Sequence, residues 1–139
     1  MRPLPQPERD SRPWWDAVAR HELTVQACAD CSRLRWPARA ICNRCGSFEW
    51  SWTPVSGQGR VVTWLVNHHS FGGAFETPST VVSVRLAEQE DIVIPARYAD
   101  APDGAGLDFD LEMRVGFDDV RDAEGNTATL LHWRSLAAA

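Results

Sequence analysis

The sequence predicts a mostly β protein: one short N-terminal helix, a small ribbon gathered around a cysteine cluster, then a five-stranded barrel. Two observations lead there. All four cysteines fall in one stretch, Cys28-Ala-Asp-Cys31 and Cys42-Asn-Arg-Cys45, two C-x2-C pairs joined by a ten-residue arm. Beyond residue 55 the apolar residues come in short runs rich in Val, Ile and Thr, separated by Gly-, Asp- and Pro-bearing turns, with no long helical period. Three segments result: an extended arm and helix over 1–23, a ribbon over 24–54, and a barrel over 55–139.

The arm, residues 1–12, carries three prolines and mixed charge and reads as extended chain. Ser11 or Asp10 is expected to cap a helix whose first turn takes Pro13 and Asp16. Trp14 and Val18 then share one face, and Trp15 and Ala19 the adjacent stripe. A helix this short must dock on something to persist. Two consecutive tryptophans are hard to bury in a small module: either both pack on the cysteine knuckle or the barrel, or at least one belongs to a partner surface.

Residues 23–27 read as a strand entering the first cysteine pair. A C-x2-C turn brings two thiolates to one side of a knuckle, and two knuckles supply four sulfurs at tetrahedral geometry. That arrangement suits Zn2+ in a closed structural site; rubredoxin-type iron, disulfides and a redox pair are the alternatives. Disulfides need an oxidising compartment, and the chain opens with no signal-peptide pattern, so a cytoplasmic address is expected. Four cysteine ligands leave no open position for a substrate, so a metal here holds structure.

The arm between the knuckles interleaves Arg33, Arg35 and Arg39 with Leu34, Trp36 and Ile41. It reads either as a hairpin with solvated arginines or as a basic finger for an anionic ligand. Phe48, Trp50 and Trp52 alternate, as on one face of a closing strand. From Ser56-Gly-Gln-Gly59 onward, strands are expected over 60–69, 79–86, 92–98, 111–120 and 128–136, with Gly116 as a bulge. Their number, with a first strand long enough to bend across both halves, fits a small OB-like barrel.

The net charge of -5 and the lack of a basic run argue against nucleic acid, and no apolar stretch is long enough to span a membrane. Catalytic sets are weak. Ser70 beside His69 is not a nucleophile–base geometry in a strand, and Asp118-Asp119 and residues 88–91 read as solvated turns. Seven Trp against one Tyr, by contrast, point to large rigid contacts.

Helix, four-cysteine ribbon and barrel in this order resemble the zinc-ribbon OB-fold proteins of the DUF35 family. The resemblance is carried by Trp14-Trp15, Cys28-Ala-Asp-Cys31, Trp36-Pro-Ala-Arg39, Cys42-Asn-Arg-Cys45-Gly-Ser, Gly57-Gln-Gly-Arg-Val-Val-Thr-Trp64, His68 and Val115-Gly-Phe-Asp-Asp-Val. It implies a non-catalytic companion of a thiolase-fold enzyme acting on acyl-CoA, such as a lipid-transfer-type thiolase or a retro-aldolase of steroid side-chain breakdown. A two-plus-two heterotetramer follows by the same likeness. On this reading Cys28, Cys31, Cys42 and Cys45 hold zinc, while Trp14, Trp15 and Trp36 anchor the partner. Arg33, Arg35 and Arg39 meet CoA phosphates or acidic partner groups, and His69, Phe71 and Phe75 line the acyl side. Two features depart from the family: the Leu131-His-Trp-Arg ending, and His68-His69 with Phe71 and Phe75. The other class of function for a ribbon and an OB barrel is single-stranded nucleic-acid binding, resting on the arginine arm and the aromatics.

Overall fold

A computed structural model describes residues 3–136; Met1 and Arg2 of the expected arm, and residues 137–139 of the expected barrel segment, lie outside the described residues. Helix α1 spans Arg12–Ala19 and buries Trp14, Ala17 and Val18. Pro13 sits in its first turn, where the missing amide costs nothing. Ser11 is the N-cap residue but makes no side-chain cap bond. Its hydroxyl instead exchanges hydrogen bonds with the backbone of Glu8, so the expected cap closes a turn of the arm.

The ribbon is a three-stranded antiparallel sheet with β1 (Thr24–Cys28) between β2 (Leu34–Arg35) and β3 (Trp50–Pro54). Phe48 falls before β3 and is 68% exposed, so the expected Phe48-Trp50-Trp52 face begins only at Trp50. The metal site and the short strands leave this module little core of its own. Val18, Leu23 and Val25 pack into one cluster with the barrel residues Val84, Ile94 and Trp133.

The remaining five strands close a barrel in the order β4-β5-β6-β8-β7. They are β4 (Gln58–Asn67), β5 (Ser79–Leu86), β6 (Val93–Tyr98), β7 (Glu112–Arg121) and β8 (Thr127–Ser135). β5 shows how alternation builds the interior: Thr80, Val82, Val84 and Leu86 point in, and Val81 and Arg85 point out. All pairings are antiparallel except β6 with β8, which run parallel over two residue pairs. β4 pairs with β7 over 58–60 and with β5 along nearly its whole length, bending at a corner where its register with β5 slips between Val61 and Thr63.

Gly59 sits at this corner, paired with Leu86 on one side and Met113 on the other. A Cβ there would lie 2.1 Å from the Arg85 carbonyl oxygen, which gives the Gly57-x-Gly59 motif its physical reason. Gly116 is not the expected bulge, since the β7–β8 register is unbroken through it. It is glycine because the His132 imidazole occupies the space of its Cβ. Likewise, Asp118 and Asp119 are not turn residues: they lie within β7 and point to opposite faces.

Candidate metal centre and partner face

The four Sγ atoms of Cys28, Cys31, Cys42 and Cys45 all lie within 4.8 Å of one another. Cys28 and Cys45 are 3.5 Å apart and Cys31 and Cys42 3.7 Å. A tetrahedral zinc with Zn–S bonds near 2.3 Å places its sulfurs about 3.8 Å apart, so the donor set fits the ion. Each knuckle is shaped by its backbone. Cys28 N–H donates to the Arg33 carbonyl and Ser32 N–H to that of Cys28; Cys42 N–H donates to Ser47 and Gly46 N–H to Cys42. Gly46 takes φ +78° to complete the second turn, a conformation that strains any other residue.

These turns also aim amides at sulfur. The amides of Cys45 and Arg44 bring the Cys42 thiol down to about 6, and those of Cys31 and Asp30 lower Cys28. The Ser47 amide alone would lower Cys45. Its three sulfur neighbours and desolvation outweigh that and push Cys45 up to about 12. Two sulfurs drawn towards thiolate beside one held back from joining them make a site short of positive charge, and a divalent cation supplies it.

Around the ribbon the expected site residues separate. Arg33 pairs with Asp91 of the β5–β6 turn; the Gln89 carboxamide and the Arg33 guanidinium hold Asp91 below the usual carboxylate range. Gln89 also pairs with the backbone of β2, accepting from Leu34 N–H at 3.0 Å and donating to Leu34 O at 2.6 Å. The turn expected to be merely solvated is thus the clamp between ribbon and barrel. Arg35 is buried, which corrects its place as a surface contact for anions. It donates to Gln26 Oε1 at 2.9 Å and to the Arg39 carbonyl at 3.0 Å, and its guanidinium carbon lies 5.2 Å over the Trp50 ring. Of the three arginines, Arg39 alone is exposed. Of the basic finger behind the nucleic-acid alternative, Arg35 is therefore spent inside the protein and Arg33 on Asp91.

Trp14 is likewise a core residue, 7% exposed, and not a surface anchor. It stands edge-on to Trp15 at 4.8 Å and tilts against Trp36 at 5.9 Å. Trp15 and Trp36 remain half-buried. With Pro95, Ala96, Leu130 and Leu131 the trio lines a groove of about 330 Å3 between helix, ribbon and barrel. The loop after β4 divides its expected residues. His69 and Phe71 stack edge-on at 4.7 Å, with Phe71 73% exposed. Phe75, with Val81, Arg97 and Tyr98, lines a separate cleft of about 590 Å3.

Arg97 and Asp118 border both the groove and the cleft. Arg97 Nη2 donates to Asp118 Oδ2 at 2.9 Å, and the buried His132 meets the same oxygen through Nδ1 at 2.9 Å. Arg134 Nη2 lies 3.1 Å from His132 Nε2. A guanidinium can only donate, so Nε2 accepts and Nδ1 carries the proton towards Asp118. Burial works against the Asp118 charge, but the bonds from Arg97 and His132 prevail and keep its carboxyl below the usual range. The one signal of this group in the sequence is a histidine inside the apolar run of the last strand.

Two family models match the chain. The ChsH2 rubredoxin-like zinc ribbon domain covers residues 15–51, and the ChsH2 C-terminal OB-fold domain covers residues 52–118. A solved structure described as "Ltp2-ChsH2(DUF35) aldolase" superposes with a TM-score of 0.79 at 31% identity, over 95% of this chain and 98% of that one. A DUF35-family crystal structure from Sulfolobus solfataricus shares the fold, with a TM-score of 0.62 at 10% identity over 91% of this chain and 85% of that one. A Thermomonospora curvata protein named "Probable enoyl-CoA hydratase alpha subunit" is 39% identical over 93 residues, 67% of this chain. The chain spans 29% of that relative's length. With both domain models in tandem and a near full-length structural counterpart, the chain belongs to the ChsH2-type DUF35 family, which joins a rubredoxin-like structural zinc ribbon to an OB-fold barrel.

Proposed function

We propose that this protein is a non-catalytic accessory subunit of a thiolase-fold enzyme that acts on acyl-CoA, with retro-aldol cleavage in steroid side-chain breakdown as the partner's reaction. The observation that carries this reading is the near end-to-end likeness, at 31% identity, to a chain of an aldolase described by two components, Ltp2 and ChsH2(DUF35). The chemistry of the chain agrees with a supporting role. Its four cysteines are committed to one metal centre, and its buried histidine is fixed between Asp118 and Arg134. Trp15 and Trp36 form the apolar anchor for the partner, and the Phe75-lined cleft faces the acyl ligand the two chains enclose.

The experiment is affinity capture of the tagged, zinc-loaded chain from its own cells, with and without nuclease, and mass spectrometry of the bound species. A stoichiometric thiolase-fold enzyme, retained after nuclease and cleaving a β-hydroxyacyl-CoA only in the complex, is the expected result. Trp15→Ala and Trp36→Ala each weaken that complex by about tenfold or more, as hot-spot aromatics do. Capture that consists of nucleic acid and vanishes with nuclease refutes the reading.

A further inference from the structure

Arg35 is a buried cation without a visible anion. It is 7% exposed, and its hydrogen bonds go to an amide oxygen and a backbone carbonyl, both neutral. No carboxylate pairs with it among the described residues. Its Nη1 is buried with no acceptor, and so is Nε2 of Gln26, the fully buried residue it faces across the sheet. A guanidinium removed from water in this way is costly unless a negative charge lies near.

The register of the ribbon shows where that charge is. Arg35 pairs with Gln26, and Gln26 and Cys28 are two apart on β1, so all three side chains stand on one face of the sheet. Trp50, which the Arg35 guanidinium covers, is the direct cross-strand partner of Cys28. The guanidinium therefore stands on the Cys28 face of the sheet, over the cross-strand partner of that ligand. Four thiolates around one divalent zinc make a centre with an excess of two negative charges.

We propose that Arg35 is the counter-charge of the metal centre, a residue that stabilises the tetrathiolate through space and not by ligation or by a direct bond to sulfur. The centre and the arginine offset each other's burial. The arm from 33 to 39, which Arg35 and Gln26 tie down, is thereby coupled to metal loading. The neighbouring arginines do not fill this role: Arg33 is engaged by Asp91, and Arg39 holds Gln26 through its backbone N–H.

The test uses the full chain loaded with Co2+ in place of zinc, and reads the sulfur-to-cobalt charge-transfer band together with metal loss to a chelator. Removing a nearby positive charge raises the sulfur lone pairs and moves that band to longer wavelength. Arg35→Gln is expected to shift the band and to lose zinc about tenfold more readily, the order that one nearby charge allows after screening. Arg35→Lys keeps the charge without the planar fork, so its band stays at the wild-type position even where thermal stability falls. Loading of Arg35→Lys but not of Arg35→Gln also supports the proposal. An unshifted band in Arg35→Gln, an equal shift in both variants, or failure of Arg35→Lys to load overturns it and leaves Arg35 a packing residue.

Discussion

Gly116→Ala is the sharpest single perturbation the barrel offers. The added Cβ would lie 2.1 Å from His132 Nε2, 2.6 Å from Cε1 and 2.9 Å from Cδ2. The ring would have to retreat by about 1 Å or more to reach van der Waals distance. It has little freedom to do so, being 5% exposed and held at Nδ1 by Asp118 and at Nε2 by Arg134. Overpacking of this kind costs about 1–3 kcal/mol, and losing a hydrogen bond to a charged partner about 1.5–3 kcal/mol more. A net loss of about 3 kcal/mol is therefore expected. Urea unfolding at saturating zinc measures it as a lower midpoint with an unchanged slope. The double variant Gly116→Ala/His132→Ala should be less destabilised than the sum of its single changes, because the ring that clashes is gone. A Gly116→Ala change below about 0.5 kcal/mol, or strict additivity in the cycle, refutes the close-approach account of this glycine.

Further outcomes follow from the metal centre, the clamp and the half-buried carboxylate. Because Cys45 is pushed up to about 12 in the metal-free site, zinc uptake at neutral pH releases at least one proton; a weakly buffered titration showing none contradicts the site's electrostatics. Cys42→Ser removes one of the four ligands, so zinc retention and the order of the ribbon are lost together, read by chelator assay and by amide exchange over 24–54. Gln89→Ala deletes both bonds to Leu34 and is expected to cost about 1–3 kcal/mol, with exchange rising in β2 while the β7–β8 hairpin stays protected. Asp118 is depressed in the folded state, so its contribution to stability is complete above its ordinary carboxylate value and is lost as pH falls through the lower folded one. Asp118→Asn should accordingly be less stable at neutral pH and show a flatter acid limb in urea midpoints; an unchanged limb speaks against the pairing.

The elements that sequence reasoning located are those whose signal is local. β5 is legible because its alternation is complete, and the metal centre because the spacing of four cysteines states its own geometry. The residues that escaped depend on partners far along the chain. Arg35 was expected at the surface because β2 is two residues long, too short for periodicity to say which side faces in. Its burial follows from pairing with Gln26, nine positions away. Asp118 was expected in a solvated turn because most charges are exposed. The β7–β8 hairpin brings His132 to it from 14 positions away, and only the closed barrel brings Arg97, 21 positions away. Trp14 and Trp15 are adjacent in sequence, and the helix turns the first into the core and leaves the second half-exposed at the groove.

The parallel joint between β6 and β8 has two register pairs, Arg97 with His132 and Tyr98 with Trp133, each joining residues 35 positions apart. By comparison, β7 and β8 form a hairpin around a tight turn closed by the Asp122 carboxylate. Chain entropy therefore delays both seams between the antiparallel halves β4-β5-β6 and β7-β8: the β6–β8 joint, and β4 with β7, whose partners lie farther apart still. The β6–β8 seam is the thinner of the two, with two register pairs against three. The carboxylate of Asp118, reaching Arg97 on one side and His132 on the other, is the rivet across it. With the buried Trp133 Nε1–H bond to the Ile94 carbonyl, it closes the line along which β6 and β8 would otherwise part.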